Sequence, residues 1–423
     1  MHNPVEIEMK APDVLVIGAG VIGVCTAYYL ACAGISVVVV EKDEVCAGCS
    51  WGNAGLLVPS HSIPLPVPGI TRKAIQWMFH SNSPLYIRPG FDKNLLAWLW
   101  QFQKACNQRA VETAIPVLRD LSGVSLDLYS QLAQIANLKF GLQHRGLLAL
   151  FVSTQGFNEG IASARWLRDE GIPAVEMGAD EVQHAEPAVA PTIVGGIGFP
   201  GDAHLIPQDF VIGLSRVATE LGAIFLTATE VNGFERTGNR ITLVKTSRGP
   251  IRPAHIVLAA GVCSQPLAAE LRIKLSLQAG KGYSVTFERP ANSPTIPLLL
   301  GEAKCAVTPM GKKLRVAGTL EFGSSDNSIN HGRVDSLLRA MKRYVHVDVD
   351  QRVSKKWAGL RPCTPDGLPI ISRAHSIENL ILATGHGMLG VSLGPVTGKI
   401  VSELISGIPP EVDIAKFDVS RFS

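Results

Sequence analysis

The chain has 423 residues, 46% of them hydrophobic and 18% charged, with a net charge of +3. A single core stops growing near about 250–300 residues, so two domains are expected, and the apolar fraction excludes a disordered chain. So small a basic excess gives no footprint for nucleic acid, and without a block of like charges there is no interaction tail.

The first twelve residues hold no apolar core and no cleavage-like site, so a secretory signal is not expected. From Val14 to Val40 there is no charge, and a hydropathy window would read a membrane span. Gly18, Gly20, Gly23 and Gly34 interrupt the run, and its VVVV end is β-branched. The pattern predicts a buried strand over 14–17, a helix over about 21–33 stopped at Gly34, and a second strand over 37–40.

Gly18-Ala19-Gly20-Val21-Ile22-Gly23 sits between that strand and helix as a dinucleotide-binding fingerprint. Gly18 makes the tight turn, Gly20 lets backbone N–H groups approach a pyrophosphate, and Gly23 lets helix and strand pack closely. Glu41 ends the second strand, where a carboxylate accepts ribose hydroxyls and disfavours a 2′-phosphate, so NADP is not expected. The small-residue loop Cys49-Ser50-Trp51-Gly52-Asn53-Ala54-Gly55 suits a large flat cofactor. The eight cysteines are scattered and read as reduced thiols, with Cys46 and Cys49 as loop thiols rather than a zinc or redox pair.

Residues 56–110 are proline-rich, then aromatic: Ile75, Trp77, Met78 and Phe79, followed by Leu95, Leu96, Trp98, Leu99, Trp100 and Phe102. Two readings stay open for the second group. One is a helix packed on its domain; the other is an apolar surface that touches a membrane or a partner. An amphipathic helix is expected over 114–137, a strand over 147–152 and a helix over 155–170. A helix begins at Pro207 and runs to about 221. Strands follow over 224–226, 229–236, 240–247 and 255–259, the last running into Ala260-Gly261. Alternating strands fill 277–320 and a helix 331–346. A late buried strand over 381–384 leads into Gly385-His386-Gly387-Met388-Leu389-Gly390 and a helix over 393–405. The glycine-ended strands near 18, 261 and 385 imply a discontinuous nucleotide domain.

WAGLRPCTPDG, residues 357–367, reads as a stiff turn built from two glycines and two prolines. Such a frame suits an arginine that grips a planar anion, with a structural ion pair as the competing reading for Arg361. Trp357 reads as packing, and Asp366 as a turn former.

VIGAGVIG…EK, CSWGNAGL, LAAG, WAGLRPCTPDG and TGHGMLGVSLG, in that order, resemble the FAD-dependent D-amino-acid oxidase superfamily, closest to its bacterial D-amino-acid dehydrogenase (small-subunit type) branch. KAIQWMF and KGYS, residues 281–284, also look like that branch. The resemblance implies an α/β chain: an FAD-binding Rossmann-like (glutathione-reductase-type) domain with a second α+β substrate domain built on an antiparallel sheet. The first would comprise 13–60, 190–265 and 357–423, and the second 61–189 and 266–356.

FAD would be held by Gly18, Ala19, Gly20, Val21, Ile22, Gly23, Glu41 and Lys42. Ser50, Asn53, Ala54, Gly55 and Leu56 would lie beside the ribityl chain and ring, Val231 at the adenine, and Ala260 and Gly261 near the pyrophosphate. Gly359, Gly387, Met388, Leu389, Gly390, Val391 and Ser392 would follow the isoalloxazine. Sarcosine-oxidase relatives attach flavin through a cysteine at the position that is Gly359 here, so attachment is expected to be non-covalent. Arg361 would hold the substrate carboxylate and Tyr283 would sit in the pocket. His386 would take an acid–base role or serve loop shape.

The implied activity is oxidative deamination of D-amino acids, with electrons passed to a quinone, another non-oxygen acceptor or an electron-transfer partner. A cytoplasmic location or peripheral contact with the inner membrane goes with it; no metal is expected. The alternatives are a glycine, sarcosine or hydroxyproline oxidase or dehydrogenase of the same fold, an NAD-dependent dehydrogenase, and a non-catalytic flavin-binding subunit.

Overall fold

The computed structural model describes residues 11–71, 85–88, 92–324, 326–350 and 354–422. Ile75, Trp77, Met78 and Phe79 lie outside the described residues. The charge-free stretch becomes the strand Val14–Ile17, the helix Val21–Cys32 and the strand Val37–Val40. Val14, Val16, Val37 and Val39 enter one core, while Leu15, Ile17, Val38 and Val40 enter another. A strand buried on both faces needs an apolar residue at every position, which is why no charge interrupts the run. Among the described residues no helix is long and apolar enough to cross a membrane.

These strands belong to a six-stranded sheet in the order Ile370–Arg373, Leu380–Thr384, His255–Leu258, Val14–Ile17, Val37–Val40, Ile224–Leu226. Every neighbouring pair is parallel except the first. The helices Val21–Cys32, Pro207–Glu220 and Gly394–Ser406 cover one face. An antiparallel meander of Val231–Thr237, Arg240–Thr246 and Gly249–Ile251 contributes to the core on the other. The glycine-ended strands near 18, 261 and 385 are consecutive neighbours here, so parallel pairing sets their three glycines along one edge of the sheet.

A nine-stranded sheet forms the second body. Its path runs Lys355–Cys363, Gln278–Glu288, Lys313–Phe322, Cys305–Met310, Leu298–Leu300, Leu147–Phe151, Gly195–Phe199, Val175–Gly178, with Leu85–Ile87 beside Lys313–Phe322. Most pairs are antiparallel, and the helix His331–Tyr344 packs on one face. The boundaries expected at 190 and 357 placed Gly195–Phe199 and most of Lys355–Cys363 with the nucleotide-binding segments. Their backbone pairing is with this large sheet.

Local differences have local causes. The helix expected over 114–137 runs Gln108–Leu132, because Asn107 accepts from Ala110 N at 2.9 Å and starts it earlier. In the helix Lys93–Ala105, Leu95, Trp98 and Phe102 are buried, and Trp98 packs on Phe322 with ring centroids 4.9 Å apart. Leu96 and Trp100 face outward, with the Lys104 ammonium over the Trp100 ring. WAGLRPC is an edge strand and not a turn: Arg361 is fixed by antiparallel register opposite Gly280, and Pro362 is tolerated at the sheet edge.

Candidate functional site

A cleft of about 820 Å³ opens where the C-terminal ends of the parallel strands face the edge strand Lys355–Cys363. Its first wall is the glycine turn. Gly18 has φ +107°, and a Cβ there would stand 2.7 Å from Ala259 O. A Cβ on Gly23 would stand 1.8 Å from Gly18 O, so strand and helix meet backbone to backbone. Ser50 Oγ accepts from Val21 N at 3.0 Å and ties the next loop to the start of the helix. Glu41 accepts from Ala19 N at 2.8 Å and from Asp43 N at 3.1 Å, which holds its carboxylate at the rim.

Cross-links from distant segments fix the loop over residues 49–55. Cys49 Sγ donates to Leu360 O at 2.6 Å, and burial pushes that thiol up to about 11. Gly55 N donates to Asn53 Oδ1 at 2.8 Å, and Leu205 N donates to Gly55 O at 2.8 Å. Arg315, only 1% exposed, donates from Nη1 to Trp51 O at 2.9 Å and to Asn53 O at 2.8 Å. Its Nε donates to Thr286 Oγ1 at 3.0 Å, and burial lowers the guanidinium to about 10.

Arg361 stands in the far wall. Its Nη1 donates to Thr319 O at 2.7 Å, and burial lowers its guanidinium below the ordinary value. A Cβ on Gly282 would stand 2.0 Å from Nη1 and 2.2 Å from Cζ, so the guanidinium lies directly on the glycine backbone. No carboxylate pairs with Arg361 among the described residues, which removes the ion-pair reading. Thr319 itself holds φ +60° at a register shift between Gln278–Glu288 and Lys313–Phe322. For a β-branched residue that conformation is strained, and it directs the carbonyl toward Arg361.

The loop after Thr384 closes onto the same strand. Gly387 N donates to Pro362 O at 2.9 Å, and His386 bridges Cys363. His386 lies 3.0 Å by Nε2 from Thr397 Oγ1, while its buried Nδ1 has no partner among the described residues. Burial lowers it to about 3, so it is neutral across physiological pH, with one ring N–H and one bare nitrogen. Trp98 Nε1 donates to Cys363 O at 3.0 Å and secures the end of the Arg361 strand.

Of the expected residues, Gly18, Gly20, Val21, Ile22, Glu41, Lys42, Ser50, Asn53, Val231, Ala260, Gly261, Gly359, Gly387, Gly390 and Val391 line the cleft, with Arg361 and His386. The others do not line it. Ala19 and Gly23 shape the turn, Ala54 and Gly55 the loop, and Leu56 pairs with His204. Ser392 Oγ accepts from Val58 N at 3.2 Å, Leu389 packs in the core, and Met388 is exposed.

Tyr283 does not reach the cleft. Strand alternation turns it away from Gly282, into the core under His331–Tyr344, where its hydroxyl donates to Glu321 Oε2 at 3.2 Å. Asp366 Oδ1 accepts from Leu368 N at 3.1 Å, as a turn former does. Sequence reasoning missed Gly282, Arg315, Thr319 and the exposed edge of Trp357. A lone glycine inside the strand-like KGYSV did signal a close backbone approach; Arg315 left no such mark.

The glycine cradle, the acid at the second strand end and the length of the cleft from Glu41 to Arg361 fit a dinucleotide whose reactive end reaches the arginine. Residues 13–404 match the model of the DAO family, FAD dependent oxidoreductase. A protein of Rhizorhabdus wittichii named D-amino acid dehydrogenase is 32% identical over 415 residues, which are 97% of this chain and 100% of that one. One of the same name from Agrobacterium fabrum is 33% identical over 419 residues, again 97% and 100% of the two chains. Among solved structures, glycine oxidase from Geobacillus kaustophilus superposes with a TM-score of 0.79 at 22% identity, over 97% of this chain and 98% of that one. L-proline dehydrogenase from P. horikoshii does so with a TM-score of 0.73 at 19% identity, over 98% of each chain. At such identities the two structures speak for the fold alone.

Proposed function

The chain belongs to the DAO family of FAD-dependent oxidoreductases, and from that premise we propose that it is an FAD-dependent D-amino-acid dehydrogenase. The observation that carries this reading is a guanidinium with no carboxylate partner among the described residues, standing on a glycine floor in the wall of a dinucleotide cleft. Bound FAD supplies the two-electron acceptor for the α-hydrogen, which leaves the substrate carbon as hydride. The imino acid so formed hydrolyses to a 2-oxo acid and ammonia.

The chain's own residues do the positioning. Arg361 offers a planar fork that fixes both the distance and the plane of a carboxylate. Its charge in a partly dry cleft also favours the neutral form of the nearby amine, from which hydride departs more readily. His386 is neutral and held at Thr397, where it shapes the loop. Gly18, Gly20 and Gly23 leave room for a pyrophosphate, and Glu41 would turn from its backbone donors to ribose hydroxyls. The name dehydrogenase on the relatives favours an acceptor other than oxygen, a quinone or an electron-transfer partner.

Lysine at 361 would keep the charge and lose the fork. With FAD fully bound, Arg361→Lys is expected to lower kcat/KM by about 100-fold or more, roughly 3 kcal/mol of transition-state stabilisation. Wild-type kcat and KM in that variant would remove the clamp. The reaction itself is checked by bleaching of flavin absorbance under anaerobic D-amino acid. No bleaching with any D-amino or secondary amino acid would overturn it.

A further inference from the structure

Trp357 takes no part in the steps above, yet its indole lines the cleft while remaining half-buried. A Cβ on Gly52 would stand 2.1 Å from Trp357 Cδ2 and Cε3. A Cβ on Gly359 would stand 2.2 Å from Cζ2 and 2.3 Å from Cη2. The six-membered ring of the indole is therefore slotted against two glycines, one on the loop over 49–55 and one on the Arg361 strand. A side chain so confined has already lost its rotamer freedom, and contact with a ligand costs it no further ordering. An indole that merely filled a core would not keep one edge open to the cleft.

Position narrows what it touches. Trp357, Gly359 and Arg361 alternate onto one side of their strand, and four residues at about 3.3 Å each set the Cα atoms of Trp357 and Arg361 about 13 Å apart. The adenosine end of the cleft lies elsewhere, at Glu41 and Val231. The indole reaches along the strand onto Gly359, the register partner of the Gly282 floor under Arg361; what sets it beside the cofactor is Gly52, on the loop over 49–55 whose Ser50 is tied to the helix start at Val21. The tricyclic ring of a flavin held by that loop offers the flat face an indole packs on.

We propose that Trp357 is a cofactor-contact residue, the aromatic wall of the flavin end of the cleft, preset by Gly52 and Gly359. The proposal rests on the FAD reading above. It is tested on the FAD-loaded protein by flavin fluorescence, because an indole in contact with a flavin quenches its emission by electron transfer.

Trp357→Phe is expected to raise emission per bound flavin severalfold and to weaken the FAD Kd about 5–10-fold. Gly359→Ala, which displaces the indole without removing it, should reproduce the rise in emission. Trp100→Phe removes an outward-facing indole that does not line the cleft and should leave emission per bound flavin unchanged. Wild-type emission and Kd in a flavin-loaded Trp357→Phe would overturn the proposal. So would a change in preference between bulky and small D-amino acids with no change in either flavin signal, which would make Trp357 a substrate wall. Failure of the FAD reading is told apart by wild-type protein that takes up no flavin at all.

Discussion

Arg361 works only because of what is missing from its neighbour. The space that a side chain at position 282 would take is the space the guanidinium occupies, and Thr319 O holds one of its nitrogens. Gly282→Ala is therefore expected to push the fork out of plane: KM for a D-amino acid should rise about tenfold or more, with the FAD Kd within about twofold of wild type. Substrate titration beside flavin titration checks this, and an unchanged KM would mean that the guanidinium has another resting place. The arginine was legible in the sequence because it is a charged residue among glycines and prolines. Its mechanical support was not, because Thr319 lies 42 residues upstream. Tyr283 shows the converse: sound as a residue type, it is turned from the cleft by the parity of its strand.

Single elements carry the site by being tied to others. The loop over 49–55 reads as a cofactor loop from its small residues, yet small residues alone give it no fixed shape. Two of its carbonyls are held by Arg315, which projects from the strand Lys313–Phe322 of the other sheet. Arg315→Met would bury a side chain of similar length and leave both carbonyls without a donor. The expected cost is about 2–4 kcal/mol, seen as a lower denaturation midpoint, together with an FAD Kd weakened about tenfold. Wild-type FAD affinity in a folded Arg315→Met would show that the loop is held by its other bonds. The helix Lys93–Ala105 follows the same pattern. Its Asp92 cap and apolar spacing are local, whereas the bond from Trp98 to the Arg361 strand is not.

At the scale of the whole molecule, one buried carboxyl makes stability depend on pH. Asp202 is 2% exposed, accepts from Ser60 N at 3.1 Å and from Ser60 Oγ at 2.5 Å, and is pushed up by burial to about 7. An unfolded aspartate titrates near about 3.9. With the folded value raised, the contribution is full below about pH 4 and is lost as pH rises toward 7. Above 7 the fold carries the whole burden of a buried anion, about 4 kcal/mol. Asp202→Asn keeps a neutral partner for Ser60 and should flatten the fall in Tm between pH 5 and 8, raising Tm at the alkaline end. A variant that keeps the wild-type slope would assign it to another group.

The sequence by itself determined the glycine cradle, the acid at the second strand end and the helices and strands around them. Those signals are contiguous: 13–41 holds strand, turn, helix, strand and carboxylate in one run, and local propensity with period-2 and period-3.6 burial suffices to read them. The tertiary structure decided which edge the three glycine-ended strands share and which way Tyr283 faces. It also decided that WAGLRPC is a strand, and that Gly282, Gly52 and Gly359 make room for Arg361 and Trp357. Those facts depend on pairing between strands up to 241 residues apart. A shift of one residue in that register would reverse every side chain, and no local pattern in the chain records it.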